Sequence, residues 1–214
     1  MSLLMDKTVR EYSDILASNE PAPGGGSTAA LSGVMAAALT SMVVNLSVGK
    51  KSYEALDENI KSDFMEHAKK VEELRSELTH LVDEDTQAFN KFMEAMKLPK
   101  ETDEQKAVRD AKIQEASVYA LQVPLNTAEK CFELLKNQET IAAYGNKNAV
   151  SDVGVGALMA FAGMEGAILN VKINLPGIND EHIRSEAAKK CDELQTEGKK
   201  LQEKTLEIVN KRIG

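Results

Sequence analysis

The stretch PAPGGGSTAALSGVMAAALTSMVVNLSVG, residues 21–49, decides the fold of this chain. Its two prolines resist helix, and the three glycines after them, Gly24 to Gly26, allow a tight turn. From Ser27 onward the residues are small or apolar, and no charged residue interrupts them before Lys50. A helix that is small on every side predicts a buried element with other helices packed closely around it.

Two interpretations of the glycine turn stay open. Gly24, Gly25, Gly26 and Ser27 lie at the predicted start of the helix, where free backbone N–H groups and the positive end of the helix dipole attract an anion. The alternative is a purely structural turn that lets two helices approach closely. A phosphate-binding P-loop is excluded because the GxxxxGK[ST] spacing and its lysine are absent.

The run from Ser27 to Val48 is also long enough to cross a bilayer. Its serines, threonine, asparagine and many alanines make insertion into hydrocarbon weakly favourable at best. We therefore expect a helix buried in protein, with no membrane partner. Residues 1–5 show no basic region followed by an apolar core, so we expect no signal peptide and a cytoplasmic location.

Composition favours an all-α fold. Aromatic residues make up 4% of the 214 residues, and alanine, leucine, methionine, glutamate and lysine dominate. No linker divides the chain, so residues 1–214 are predicted to form a single-domain helical bundle with long helices. Pro124 falls inside one of these helical patterns and is expected to kink or split it. The net charge of −8 argues against a nucleic-acid partner.

A buried acidic residue is predicted on the long helix between about Asp57 and Met96. His67 and Asp85 fall on its apolar stripe, where a hydrophobic residue is expected. Burial of an unpaired carboxylate is costly, so Asp85 must be paired, protonated or functional. The alternative is a solvated acidic turn around residues 83–85. His67 fits a core or edge histidine better than a functional one.

A second polar site is predicted on the helix that follows the turn Gly145-Asn146. Read at the helical period, one face of this helix carries Asp152, three glycines, Asn170 and Asn174. The glycines allow a neighbouring backbone or a flat ligand to come close, and the aspartate and asparagines supply polar groups. The alternative is tight helix packing, with Asp152 as the partner of the helix dipole.

Three cations are candidates for holding a carboxylate-bearing ligand. Lys50 and Lys51 follow the C-terminus of a predicted helix, where basic residues usually only complement the dipole. Arg109 lies near the start of the next long helix, an unfavourable place for a cation without an anionic partner. Glu104 or Asp110 is an alternative partner for it. The two cysteines are far apart and indicate reduced thiols, not a disulfide or zinc scaffold.

Seven motifs occur in one order along nearly the whole chain. They are PAPGGGS at 21–27, NLSVGKKSY at 45–53, DTQAF at 85–89, LPK at 98–100, Gly145-Asn146, Ser151-Asp152 and NVKINL at 170–175. As a set they resemble the cyclodeaminase/cyclohydrolase family, which comprises the C-terminal domain of formiminotransferase-cyclodeaminase and free-standing bacterial methenyltetrahydrofolate cyclohydrolases. Ser47 stands where the family often has threonine, a conservative difference.

The resemblance implies an all-α fold, an intertwined homodimer and a folate site in a cleft near the subunit interface. The main hypothesis is a formimidoyltetrahydrofolate cyclodeaminase, which converts 5-formiminotetrahydrofolate to 5,10-methenyltetrahydrofolate and ammonia. One alternative is a methenyltetrahydrofolate cyclohydrolase on the same scaffold. A second alternative is a non-catalytic folate-binding or scaffold dimer.

The hypothesis assigns roles to the candidate residues. Asp85 and Asp152 take the acid–base or cation-stabilising roles, since both reactions move protons at a one-carbon unit. No metal and no cofactor beyond the tetrahydrofolate substrate is expected. The substrate-binding candidates are Gly24, Gly25, Gly26 and Ser27 as backbone donors, Asn146, Ser151, Asn170 and Asn174 around the pterin, and Lys50, Lys51 and Arg109 for the glutamate tail.

Overall fold

The computed structural model describes residues 3–214, and over that range the chain folds into seven α-helices. Short 3-10 turns at Leu4–Asp6, Lys147–Ala149 and Leu175–Gly177 complete it. The prediction of an all-α fold with long helices is confirmed. Residues 1 and 2 of the stretch used to argue against a signal peptide lie outside the described residues. The helices are α1 (Val9–Leu16), α2 (Gly25–Ser47), α3 (Lys51–Glu54), α4 (Glu58–Met96), α5 (Asp103–Tyr144), α6 (Val150–Asn174) and α7 (Glu181–Ile213).

Helix α2 is central, since it packs against α4, α5 and α6, while α7 packs on α5 and α6. α2 and α6 run antiparallel and approach very closely. A Cβ added at Gly163 would lie 2.8 Å from the Ala29 carbonyl oxygen, and one at Gly156 would lie 3.1 Å from the Ala36 carbonyl oxygen. The glycine face predicted on α6 is therefore also a packing face against α2.

Replacing Gly163 with alanine should destabilise the fold. The added methyl group would meet the Ala29 carbonyl and, at 3.1 Å, the Cys131 Sγ atom. We expect the free energy of unfolding to fall by about 1–2 kcal/mol, because overpacking outweighs the better helix propensity of alanine. Urea unfolding at fixed protein concentration measures this. Gly166→Ala is the matched control, because its Cβ meets only the Ala29 Cβ at an ordinary 3.4 Å; equal losses in both variants would contradict the prediction.

The structure differs from the sequence expectation at Pro124, because α5 continues through it without being split. Proline has no N–H, so the carbonyl four residues earlier, that of Ala120, loses its helical partner. The side chain of Asn174 supplies the missing donor, with its Nδ2 atom 2.8 Å from the Ala120 carbonyl oxygen. Asn174 thus has a structural role in joining the end of α6 to the middle of α5.

The outer sides of α2 and α6 both carry exposed apolar side chains and are here together called the α2/α6 face. By length and hydropathy, α2 and the segment Lys147–Gly177 are both long and apolar enough to cross a membrane, and half of each hydropathy window is buried inside the protein. The other half leaves large apolar side chains in the open, with Ile173 reaching 77% exposure. The exposed members are Met35, Met42 and Leu46 on α2 and Val155, Leu158, Leu169 and Ile173 on α6.

Candidate active site

The carboxylate of Asp85 sits at the start of α2. It accepts a hydrogen bond from the Ser27 backbone N–H at 2.9 Å and one from the Ser27 hydroxyl at 3.3 Å. The first turn of a helix offers such unpaired N–H groups, and its dipole favours a negative charge there. A Cβ at Gly26 would lie 2.0 Å from the Asp85 Oδ1 atom, so the carboxylate occupies space that only a glycine leaves open.

Burial raises the pKa of Asp85 above its ordinary value, and the two hydrogen bonds from Ser27 partly oppose that effect. Desolvation penalises the charged carboxylate, while hydrogen bonds to it favour the charged form. Burial is the larger cause, so the group keeps its proton to higher pH than a solvated aspartate does. A carboxyl group tuned in this direction is suited to exchange protons with a substrate near neutral pH.

Tyr12 belongs to the same region, although no pattern in the sequence indicated it. Its hydroxyl lies 3.4 Å from the Thr28 hydroxyl on the first turn of α2. Burial raises the pKa of Tyr12, the Thr28 hydrogen bond opposes this, and the nearby charges of Asp85 and Asp83 raise it further. In the sequence this tyrosine looks like any core aromatic, and only the packing of α1 beside α2 reveals its polar surroundings.

The end of α6 adds Asn170 to this region. The Asn170 side chain donates to the Gly166 carbonyl at 2.8 Å, and a Cβ at Gly25 would lie 3.2 Å from its Nδ2 atom. Residues 24–27, Asp85 and Asn170 are here called the N-terminal group, after the end of α2 that they share. A cavity of about 530 Å³ adjoins it, lined by Leu16, Pro23, Gly24, Gly25, Thr28, Ala29, Ser32, Ala162 and Gly166.

Five of the other predicted residues collect toward the opposite end of α2. The Asn146 backbone N–H donates to the Ser47 hydroxyl at 2.7 Å, and its side chain donates to the Leu46 carbonyl at 2.9 Å. Asp152 is half-buried in the first turn of α6, and its side chain makes no hydrogen bond or ion pair with residues 3–214. Members of this C-terminal group are Asn146, Ser151, Asp152 and the exposed lysines Lys50 and Lys51.

The two groups do not meet within one chain. Gly163 lies against Ala29 and Gly156 against Ala36, so the antiparallel register places Asp152 at the level of Thr40 of α2. Thirteen residues separate that level from Ser27, which is about 20 Å at 1.5 Å per residue. A single chain therefore presents Asp85 and Asp152 at two distinct places.

Arg109 lies in neither group. Its guanidinium donates to the Met96 carbonyl at 3.2 Å and lies 3.8 Å from an Asp110 carboxylate oxygen. The contact with Met96 joins the start of α5 to the end of α4. The alternative of a local partner, raised from the sequence, matches this geometry.

A second cavity, of about 890 Å³, lies between the end of α4, the first half of α5 and the start of α7. On its wall the Lys91 ammonium sits 4.5 Å above the centre of the Tyr119 ring. The Tyr119 hydroxyl donates to Glu84 at 2.9 Å, and burial raises its pKa to about 12. None of the predicted catalytic or substrate-binding residues lines this cavity, although Leu98 of the LPK motif does.

Cysteine thiols and clusters of metal-ligating side chains are two further kinds of group that could take part in chemistry. Both thiols are buried, and burial raises the pKa of Cys131 to about 12, which leaves it unreactive. Residues 3–214 contain no group of three or more His, Cys, Asp and Glu side chains placed to hold a metal ion. The residues with acid–base capacity in the two groups are Asp85 and Asp152.

Comparison with known proteins gives one family throughout. The family model described as formiminotransferase-cyclodeaminase matches residues 8–193. A methenyltetrahydrofolate cyclohydrolase of Methylorubrum extorquens is 42% identical over 98% of this chain and 99% of its own length. The formimidoyltransferase-cyclodeaminase of Gallus gallus is 35% identical, and this chain spans only 38% of that protein.

A solved structure agrees with the fold over its full extent. It is the crystal structure of formiminotetrahydrofolate cyclodeaminase from Thermotoga maritima, which matches with a TM-score of 0.85. The two chains are 27% identical, and the match covers 99% of this chain and 100% of the other. The same arrangement of long helices therefore holds in a second protein.

Proposed function

The chain belongs to the formiminotransferase-cyclodeaminase family, and from that membership we propose that it is a methenyltetrahydrofolate cyclohydrolase. One observation carries the choice: the Methylorubrum extorquens relative with this name is 42% identical and matches from end to end. The cyclohydrolase was the alternative raised from the sequence, and it is preferred here to the cyclodeaminase, which was the main hypothesis. Both activities are folate one-carbon chemistry, so the same residues are expected to act in either reaction.

The proposed reaction adds water to the methenyl carbon that bridges N5 and N10 of 5,10-methenyltetrahydrofolate. One proton leaves the attacking water as the C–O bond forms. The C–N5 bond then breaks as N5 takes up a proton, and the hydroxyl group formed from the water loses its remaining proton to become the formyl oxygen of 10-formyltetrahydrofolate. The substrate cation becomes a neutral product, so one proton is released overall.

Asp85 is the group proposed to move these protons. The Ser27 N–H and hydroxyl favour its charged form, but burial favours its neutral form more strongly and raises its pKa above the ordinary value. As a carboxylate it accepts the proton of the attacking water, and as a carboxylic acid it returns a proton to N5. Its negative charge also stabilises the cationic substrate before attack.

The C-terminal group takes part, in this proposal, through a second copy of the chain. The α2/α6 face carries large exposed apolar side chains on adjacent helices, which is typical of an interface between subunits. A two-fold axis that crosses the middle of α2 sets the two α2 helices antiparallel. This brings the N-terminal group of one chain to the C-terminal group of its partner, so that each dimer has two composite sites.

The composite site predicts complementation between two inactive chains. Asp85→Asn and Asp152→Asn homodimers should each have very low turnover. A heterodimer purified through two different affinity tags contains one doubly altered site and one intact site, so it should regain about half of the wild-type activity. A heterodimer as inactive as both parents, or a chain that is monomeric in solution, would contradict the composite site.

The activity itself is tested by absorbance in the methenyltetrahydrofolate band. The purified chain should speed the loss of this band from methenyltetrahydrofolate well above the buffer rate, with 10-formyltetrahydrofolate as the product. The Asp85→Asn protein at equal concentration is the matched control. Loss at the buffer rate with both proteins would overturn the proposal.

Cyclodeamination is the second candidate, favoured by one observation. The Thermotoga maritima protein named for that activity has the same fold across its whole length. In that reaction N10 attacks the formimino carbon, and the tetrahedral centre expels ammonia. The same absorbance band would then grow when 5-formiminotetrahydrofolate is added. If the band changes with neither of the two substrates, the remaining function is folate binding without catalysis.

A further inference from the structure

We propose that Arg212, in the last turn of α7, is a positioning residue for the C-terminal group. The inference rests on the proposed function, because it assigns that group a part in the reaction. The guanidinium of Arg212 donates to the Ala142 carbonyl at 2.5 Å and to the Gly145 carbonyl at 2.7 Å. Both acceptors belong to the end of α5 and the turn that leads into α6.

These carbonyls need an external donor. The last carbonyls of a helix have no partner within the helix, and α5 ends at Tyr144. A cation at this end also matches the negative end of the helix dipole. The guanidinium meets both requirements, since its planar fork donates in two directions at once.

The turn that Arg212 holds carries the predicted site residues. Asn146 follows Gly145 directly, and Asp152 lies six residues later in the first turn of α6. On the other side of the turn, Asn146 is bonded to Ser47 and Leu46 at the end of α2. Arg212 therefore closes a three-part clamp in which α2, the turn and α7 fix the direction in which α6, and with it Asp152, begins.

Arg212 is half-buried, which shows that it is built into the protein and is not a surface charge. Burial lowers its pKa from the ordinary value. One turn earlier, Val209 is 4% exposed and would lie 3.1 Å from a Cβ at Gly154, so α7 stays docked on α6 without the arginine. Residue 212 lies beyond residues 8–193, which the family model matches, so the family pattern gives no hint of this contact.

Arg212→Ala is expected to lower kcat about tenfold to a hundredfold with KM little changed, because small misplacements of reacting groups cost this much. Arg212→Lys, which keeps the charge and one or two donors, should recover part of the loss. Millimolar guanidinium should restore activity to Arg212→Ala, and sodium chloride at equal ionic strength should not. Lys211→Ala is the matched control, because within the described residues Lys211 pairs only with Glu207, at 2.6 Å, on the exposed side of α7.

Three results would overturn the proposal. They are an unchanged kcat in Arg212→Ala, a loss that Lys211→Ala shares, or a loss that neither lysine nor guanidinium repairs, which would point to general destabilisation. Hydrogen exchange separates this inference from the proposed function. The Asn146 amide, bonded to Ser47, should exchange faster in Arg212→Ala than in the wild type even if no folate activity is found, and equal exchange rates would refute the clamp.

Discussion

Asp85→Asn should reduce kcat by about 10²–10⁴-fold, the usual contribution of a positioned general acid–base group. The asparagine keeps the shape of the side chain and still accepts the Ser27 N–H bond, so the helices should be unaffected. It has no proton to exchange and no charge to stabilise a cationic substrate. Steady-state turnover and far-UV circular dichroism, measured on the same preparation, check both parts of this expectation.

The same variant should change how stability depends on pH. Because burial raises the pKa of Asp85, the folded chain keeps this proton to higher pH than the unfolded chain. The wild type therefore loses stability relative to Asp85→Asn as pH rises from the ordinary pKa of aspartic acid through the raised value. Urea unfolding on both sides of this window measures the difference, and a constant difference would contradict the burial of the carboxyl group.

Asp83→Asn is the control for both measurements. Asp83 lies on the same helix and accepts the Leu4 backbone N–H at 2.5 Å, a bond that an amide oxygen also accepts. Its turnover should remain close to that of the wild type. A loss equal to that in Asp85→Asn would mean that acidic charge on this part of α4 matters in general, and not Asp85 in particular.

Gly26→Ala should have nearly as large an effect on turnover, although it adds only a methyl group. Its Cβ would lie between 2.0 and 2.7 Å from the three carboxyl atoms of Asp85, so the carboxyl group must leave its place. The Ser27 N–H then loses its acceptor. Alanine favours helix over glycine, so α2 itself should stay folded.

A double variant tests whether Gly26 acts through Asp85. If it does, adding Gly26→Ala to Asp85→Asn should cost little further activity, because the two substitutions remove the same proton-transfer group. Multiplied losses would show that the glycine has a separate function, for example as a backbone donor to substrate. Melting curves of all three proteins confirm that the comparison is made on folded enzyme.

The fold was largely predictable from local patterns, because each long helix carries its own signal. The small-residue run after Gly24 indicated α2 to within about three residues at its start. Pro124 shows where local reasoning ends. The sequence shows that proline removes a helical hydrogen bond, but the donor that replaces it comes from Asn174, 50 residues later, and only tertiary structure brings the two together.

The sequence suggested the members of the candidate site one by one, but it did not predict how they are arranged. Asp85 stood out because a carboxylate lies on an apolar stripe, and its partners at Gly26 and Ser27 were separately marked by the glycine turn. The antiparallel register of α2 and α6, which keeps Asp152 away from Asp85, leaves no trace in either helix alone. The role of Arg212 could not be predicted either, because a basic residue at the C-terminus of a helix is common and its contacts depend on tertiary structure.

The exposed α2/α6 face also has a consequence for how the stability of this chain depends on its concentration in the cell. Before two copies associate in the proposed dimer, the exposed side chains of Met35, Leu158 and Ile173 make a newly synthesised chain prone to aggregate or to bind chaperones. In the proposed dimer the resistance of the chain to heat would depend on its concentration, because association stabilises the folded state. At low expression, the fraction of chains that are folded and paired in the proposed dimer would be disproportionately small.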